Sequence, residues 1–222
     1  MRMTHIYHSG FAVEHPSCSL VFDWYQGELP DLPEGLPLIV FVSHSHADHY
    51  GRCIWDLCGR FDEVVYVLDA EVAETAPGWA QVVAMRPHER ATAGPVTVGT
   101  LRSNDEGVAF VVEAPEARIF FSGDLNVWWW DRPRHENEAS DAFFRHEVRR
   151  VAGPVDVAFL PVDPRLQDPT ASLRAFEEEV GARLVVPMHY WDRGQEARAA
   201  VEQDARLAPW RQRIDFSRVI EA

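Results

Sequence analysis

A chain of 222 residues, 46% hydrophobic and 25% charged, has the profile of a soluble globular protein long enough for a substantial core. Its formal net charge of -14 disfavours nucleic acid as the main partner, because the few cations would have to gather on one face against the overall field. No apolar run approaches bilayer-spanning length and the start of the chain lacks a signal peptide's apolar stretch, so a cytoplasmic protein without membrane association is expected. Cys18, Cys53 and Cys58 match no disulfide or zinc-knuckle spacing and read as reduced thiols that pack rather than ligate.

In chain order, Met3 to Val13 and Ser19 to Trp24 read as two strands of a hairpin, rich in β-formers and bounded by Gly10 and Pro16-Ser17. Pro30, Pro33 and Pro37 make the next stretch a loop, and the apolar run from Leu38 to Val42 makes a strand. A helix is expected from about Tyr50 to Arg60, a buried strand from Asp62 to Leu68 and a short helix from Glu71 to Thr75. Four strands follow: Gln81 to Met85, Val96 to Leu101, Val108 to Glu113 and Arg118 to Ser122, separated by turns rich in Gly, Pro and Asn. The later part alternates: helix Ser140 to Val151, strand Val155 to Pro161, helix Thr170 to Val180, strand Leu184 to Pro187, helix Glu196 to Ala205. Strands dominating early and alternating with helices late disfavour an all-parallel doubly wound sheet. The order suits two sheets packed face to face with helices outside, in one domain over residues 1–222.

The densest chemistry is His44-Ser45-His46-Ala47-Asp48-His49, directly after the strand at Leu38 to Val42. A loop leaving a strand end turns several neighbouring side chains toward one point, and imidazole nitrogen with carboxylate oxygen suits zinc, manganese or ferrous iron. Two later strand exits add ligand types: Asp124 after Phe120-Phe121-Ser122-Gly123, and His189 after Leu184-Val185-Val186-Pro187-Met188. A lone buried His or a turn Asp is ordinarily structural. Three strand exits that each end in His or Asp are what a metal cleft at a sandwich edge requires.

This ordered pattern resembles the metallo-β-lactamase fold superfamily, whose H-x-H-x-D-H signature is matched by His44, His46, Asp48 and His49. Asp124 in its Gly-Asp context and His189 after a late strand continue the family order. His8-Ser9-Gly10-Phe11 and Val21-Phe22-Asp23 resemble the family's first hairpin, and Pro187-Met188-His189-Tyr190 resembles the branch containing L-ascorbate-6-phosphate lactonase. The resemblance implies an α/β (α+β) fold, a four-layer αββα sandwich with the metal cleft at one edge of its sheets. It also implies metal ligands at His44, His46, Asp48, His49, Asp124 and His189. Asp48, His49 and Asp124 would then serve catalysis, with Asp124 bridging if two ions bind and a metal-bound hydroxide as nucleophile.

One departure from the pattern is informative. The imidazole that relatives place between the signature and the Gly-Asp motif is absent from Thr100 to Val108, and His88, the only His between them, reads as a surface residue. Either Asp105 or Ser103 replaces it, giving a harder, oxygen-rich site that favours manganese or iron over zinc, or only the site of Asp48, His49, Asp124 and His189 is filled. One or two divalent ions are therefore expected. Near the cleft, His8, Asn126, Trp128 and Arg165 are candidates for substrate contact, with His8 alternatively supporting the centre from behind, Asn126 fixing its loop, Trp128 packing in the core and Arg165 forming a turn with Asp163.

Superfamily members act on many substrates, so fold alone does not choose one. The leading expectation is a metal-dependent hydrolase of a small ester, lactone or phosphoester. The alternatives are a nuclease or phosphodiesterase of the same fold, which needs a basic rim, and a non-catalytic metal-binding protein with a degenerate first site. A flavodiiron-type oxidoreductase is disfavoured because that group resembles H-x-E-x-D-H and His46 stands at the Glu position.

Overall fold

The computed structural model describes residues 1–222. Two mixed sheets lie face to face. The first comprises β1 (Arg2–Tyr7), β2 (Gly10–His15), β3 (Cys18–Phe22), β4 (Leu38–Val42), β5 (Val64–Asp69), β6 (Gln81–Met85) and β13 (Val219–Glu221) in the order β13-β1-β2-β3-β4-β5-β6. The second comprises β7 (Arg90–Ala93), β8 (Val96–Arg102), β9 (Val108–Ala114), β10 (Ala117–Phe121), β11 (Val155–Pro161) and β12 (Ala182–Met188) in the order β12-β11-β10-β9-β8-β7. Strands β3 to β6 run parallel, as do β10 to β12, and the remaining pairs are antiparallel.

Strand β4 explains the layering. Its five residues are all buried, which a strand covered on both faces allows. Ile39 and Phe41 point between the sheets, into a core with Phe11, Phe22, Phe110, Phe121 and Phe159. Leu38, Val40 and Val42 point the other way, onto Ile54 and Leu57 of a 3₁₀ helix (Arg52–Gly59) and Val72 of α1 (Ala70–Ala73). The outer face of the second sheet is covered in turn by α2 (Arg134–Val148), α3 (Ala171–Glu179) and α4 (Gly194–Gln203) through Phe144, Phe176 and Val201. The result is the expected four-layer αββα arrangement.

The differences from the sequence reading lie at element edges. The opening segment forms three strands, because the chain reverses at Tyr7 to Gly10 with His8 at φ 55°. The segment after the His cluster is a 3₁₀ helix. Helix α2 starts six residues before Ser140, since its first turn, held by an Arg134–Glu138 pair at 2.7 Å, is too polar to show apolar periodicity. The edge strands β7 and β13 were not expected: they are short and carry little apolar alternation. No helix is long and apolar enough to cross a membrane.

Candidate metal centre

Side chains for the centre come from the carboxyl ends of strands in both sheets, where ligands gather in open α/β sheets. Asp23 follows β3, the His44 to His49 loop follows β4, Asp124 follows β10, Asp163 and Arg165 follow β11, and His189 follows β12. The β1–β2 turn adds His8, and the β8–β9 turn adds Ser103 to Gly107 at the same edge. Of six non-glycine residues with positive φ, His8, Asp23, His189 and Trp191 belong to this site, so backbone strain concentrates there.

Asp124 is the focus. Its Oδ1 lies 3.1 Å from His49 Nε2 and 3.2 Å from His189 Nε2, and its Oδ2 lies 3.4 Å from His44 Nε2. The far side of each ring fixes what these contacts mean. His49 Nδ1 is 2.7 Å from Asp23 Oδ2, and His44 Nδ1 is 2.9 Å from Ser43 Oγ, whose own hydrogen goes to Asp23 Oδ2 at 2.6 Å. His189 Nδ1 stands 3.5 Å from Asp163 Oδ2. Each imidazole thus has an oxygen behind Nδ1, hydrogen-bonded for His44 and His49 and near but unbonded for His189; an Nδ1–H directed at that oxygen leaves the neutral ring a bare lone pair on Nε2, aimed at a carboxylate. Lone pairs facing carboxylate oxygens at such distances call for a cation or a proton between them. His49 Nε2 and Asp124 Oδ1 are buried without a well-formed hydrogen bond.

The electrostatics agree. Burial alone disfavours charge on His49, yet Asp124 and Asp23 overcome it and raise its pKa well above the ordinary value. Burial likewise opposes the Asp124 carboxylate, but His49 and His189 hold it well below the usual range. His189 is raised against its burial by Asp124 and Asp163. Burial dominates at His8 and pushes it down to about 4 despite Asp48.

Three sets of possible ligand atoms lie within 4.8 Å of one another: His8, Asp48, His49 and His189; Asp23, His44 and His49; and His44, His46 and Asp124. All six expected ligands are therefore drawn to one place, although His46 is exposed. Its Nδ1 is 3.0 Å from His44 Nε2 and its Nε2 is 2.8 Å from Glu106 Oε2. Neither candidate replacement for the missing imidazole joins these sets. Ser103 Oγ accepts the Asp105 N–H at 3.1 Å, and Asp105 instead lines the adjoining pocket. The carboxylate touching the first pair is Glu106, next in sequence.

A pocket of about 530 Å³ opens beside Asp124, Asp48 and His189, walled by Trp128, Trp130, Trp191 and Arg165. The Trp128 and Trp130 rings are parallel within 3°, and the Arg165 guanidinium sits 4.2 Å from the Trp191 ring while its Nε and Nη2 pair with Asp163. Trp128 and Arg165 thus lie where substrate contact was expected. Asn126 does not: it is fully buried, bonded to Ser172, with its carbonyl held by Asn104 Nδ2 at 2.8 Å. His8 is buried behind Asp48 and does not line the pocket. His88 is a surface residue, pinned to Glu147 at 2.8 Å.

From sequence, Ser43, Glu106 and Trp191 carry no site role, Asp23 enters only through the hairpin resemblance and Asp163 only as a turn partner of Arg165. Their signal is position: each follows a strand end or adjoins a motif residue, but an acid or Ser there reads as a turn-former until its partner is known.

Residues 21–190 match a family model described as the beta-lactamase superfamily domain. A "UPF0173 metal-dependent hydrolase" of Desulforamulus reducens is 27% identical over 207 residues, covering 86% of this chain and 84% of that protein. One of the same description from Opitutus terrae is 27% identical over 214 residues, with 86% and 85% covered. Among solved structures, the metallo hydrolase Igni18 of Ignicoccus hospitalis superposes with a TM-score of 0.68 at 16% identity, covering 100% of this chain and 98% of its own. The diiron beta-hydroxylase CmlA of Streptomyces venezuelae gives 0.64 at 13% identity, over 99% of this chain and 53% of its own. With three-quarters of its length matched by that model and its two-sheet fold shared with those structures, the chain belongs to the beta-lactamase superfamily.

Proposed function

We propose that this protein is a cytoplasmic metal-dependent hydrolase of a small ester, lactone or phosphoester. The observation that carries the reading is the convergence of three imidazoles, two of them hydrogen-bonded at Nδ1, on Asp124 at the floor of an aromatic-walled pocket. This donor set fits a divalent ion: nitrogen and carboxylate oxygen, with buried lone pairs otherwise unmatched. His44, His46, Asp48, His49, Asp124 and His189 would hold one or two ions of zinc, manganese or iron. Such an ion lowers the pKa of bound water and polarises the carbonyl or phosphoryl oxygen under attack.

The chain's own residues supply the rest. Asp23 and Ser43 fix the tautomers and orientation of His49 and His44, and Asp163 places a carboxylate near His189 Nδ1, so the ligands would need little rearrangement to hold an ion. Trp128, Trp130 and Trp191 exclude water from one side of the pocket. Arg165 keeps Nη1 outside its pairing with Asp163, and from its seat on Trp191 that donor suits an anionic or carbonyl group of the substrate. The pocket volume is in the small-molecule range. Its two cations, Arg132 and Arg165, are engaged by Glu136, Asn137 and Asp163, which speaks against the basic rim a nuclease needs.

The test is a panel of lactone, thioester, carboxylic ester and phosphodiester compounds against wild type, Asp124→Ala and His46→Ala, with metal content measured for each. Hydrolysis of at least one class, lost in both variants, is expected. Metal-loaded wild type inert across the panel favours the non-catalytic reading, and full turnover in the variants sinks the assignment of these residues.

A further inference from the structure

His8 stands among metal ligands by distance, yet its ring is held the opposite way round. Its Nε2 is buried and lies 3.4 Å from Asp48 Oδ2, grouped with ligand atoms of His49 and His189. Proximity alone would make it a fourth ligand of that set. The other nitrogen argues differently. In His44, His49 and His189 an oxygen faces Nδ1, but His8 Nδ1 faces a donor, the backbone N–H of Trp191, at 3.4 Å. A ring nitrogen that accepts a hydrogen bond carries no proton, so the proton of a neutral His8 sits on Nε2 and that atom has no lone pair for a metal.

We propose that His8 is not a metal ligand but a positioning residue, which donates Nε2–H to Asp48 and leaves the other Asp48 oxygen free for the metal centre. The surroundings leave the ring little choice. It stacks on Trp191 with centroids 4.1 Å apart and a 23° tilt, and stands edge-on to Tyr25 at 6.4 Å. Its backbone sits at φ 55° in the β1–β2 turn, and its carbonyl accepts the His189 N–H at 3.2 Å and the His5 Nε2–H at 3.1 Å. One residue thereby ties the first hairpin to the last ligand loop and presents a donor to the only signature carboxylate, Asp48, which is otherwise half-exposed. The 3.4 Å contact is long for a hydrogen bond, as contacts in active sites without ligand often are.

The proposal rests on the metal-centre reading, and its test does not depend on turnover. In the intact chain labelled with ¹⁵N-histidine, long-range proton–nitrogen correlations report which nitrogen of each ring carries the proton, before and during titration with zinc. His8 is expected to show Nε2–H with a bare Nδ1 throughout, while the Nε2 signals of His49 and His189 move as zinc binds. An Nδ1–H on His8, or loss of its Nε2 proton with a zinc-dependent shift, overturns the proposal. If no histidine responds to zinc, the metal reading fails while the His8 tautomer stands as measured.

A second arm uses His8→Phe, which keeps the stacked ring without a donor, and His8→Gln, which restores an N–H near the Nε2 position. Phe should weaken zinc binding about 10- to 100-fold, the usual effect of removing a partner behind a ligand, and Gln should recover most of it. Wild-type zinc affinity in His8→Phe contradicts the role.

Discussion

At the scale of single residues, the site is held by groups that never reach the pocket. Asp23 is fully buried and serves Ser43 N at 2.8 Å, Ser43 Oγ and His49 Nδ1 at once. Asp23→Asn replaces one acceptor oxygen with a donor, so His49 loses its fixed tautomer. Metal affinity should fall about 10- to 100-fold by calorimetric titration, with the fold retained by circular dichroism. Gly107 is a second such residue. At φ 67°, a Cβ there would lie 2.0 Å from Ser43 O and 2.6 Å from His44 Cβ. Gly107→Ala must therefore shift the backbone that carries His44, and a loss of about 2 to 4 kcal/mol in denaturant unfolding is expected from strain and overpacking together. The motif residues were legible in the sequence because three imidazoles and an acid after an apolar strand are chemically dense. Asp23 and Asp163 were not read as supports, because their meaning lies in partners tens of residues away, His49 and His189.

At the scale of elements, sequence pattern carried the buried strands and missed what polar contacts define. β4, β5 and β11 announce themselves as apolar runs, whereas β7 and the start of α2 are set by neighbours and ion pairs. One network shows what such contacts contribute. Arg174 on α3 reaches Asp168 Oδ2 and Asp204 Oδ2, both at 2.6 Å, and so joins the loop before α3 to the end of α4. Burial opposes ionisation of both acids, but Arg174 and Arg206 outweigh it and hold them below the usual carboxylate range. Arg174→Ala should destabilise the fold by about 1 to 2 kcal/mol near neutral pH, since it leaves Asp168 and Asp204 with Arg206 as their one remaining cation. The sign of its pH dependence follows. A depressed folded pKa contributes stability fully present above the unfolded value of about 4 and lost as pH falls through the lower folded value. The gap between wild type and Arg174→Ala should therefore be widest above about pH 5 and close in acid; a gap that widens in acid contradicts this ordering of the pKa values.

At the scale of the whole molecule, the fold class was readable because its cause is global: strands clustered early, helices alternating late, and enough apolar length for three buried interfaces between four layers. The edge where both sheets present parallel strand ends is where all the ligand candidates gather, so architecture and chemistry point to one place. What the missing imidazole leaves behind was not readable. The sequence offered Asp105 and Ser103, while the turn geometry brings Glu106 to His46 instead, because a tight turn at Ser103 to Gly107 decides which side chain faces the cleft. A centre built this way should also stabilise the chain when filled, by about 2.7 kcal/mol at a metal concentration 100-fold above its Kd. The measurement that tests the central claim most directly is elemental analysis of protein purified without chelator, with thermal unfolding and hydrolysis followed before chelation, after it, and after metal is returned. The account predicts at least one equivalent of a divalent transition metal per chain, a fall in both Tm and hydrolysis on its removal, and recovery of both on its return. A chain that purifies without metal and neither gains stability nor hydrolyses anything when zinc, manganese or iron is supplied would contradict it.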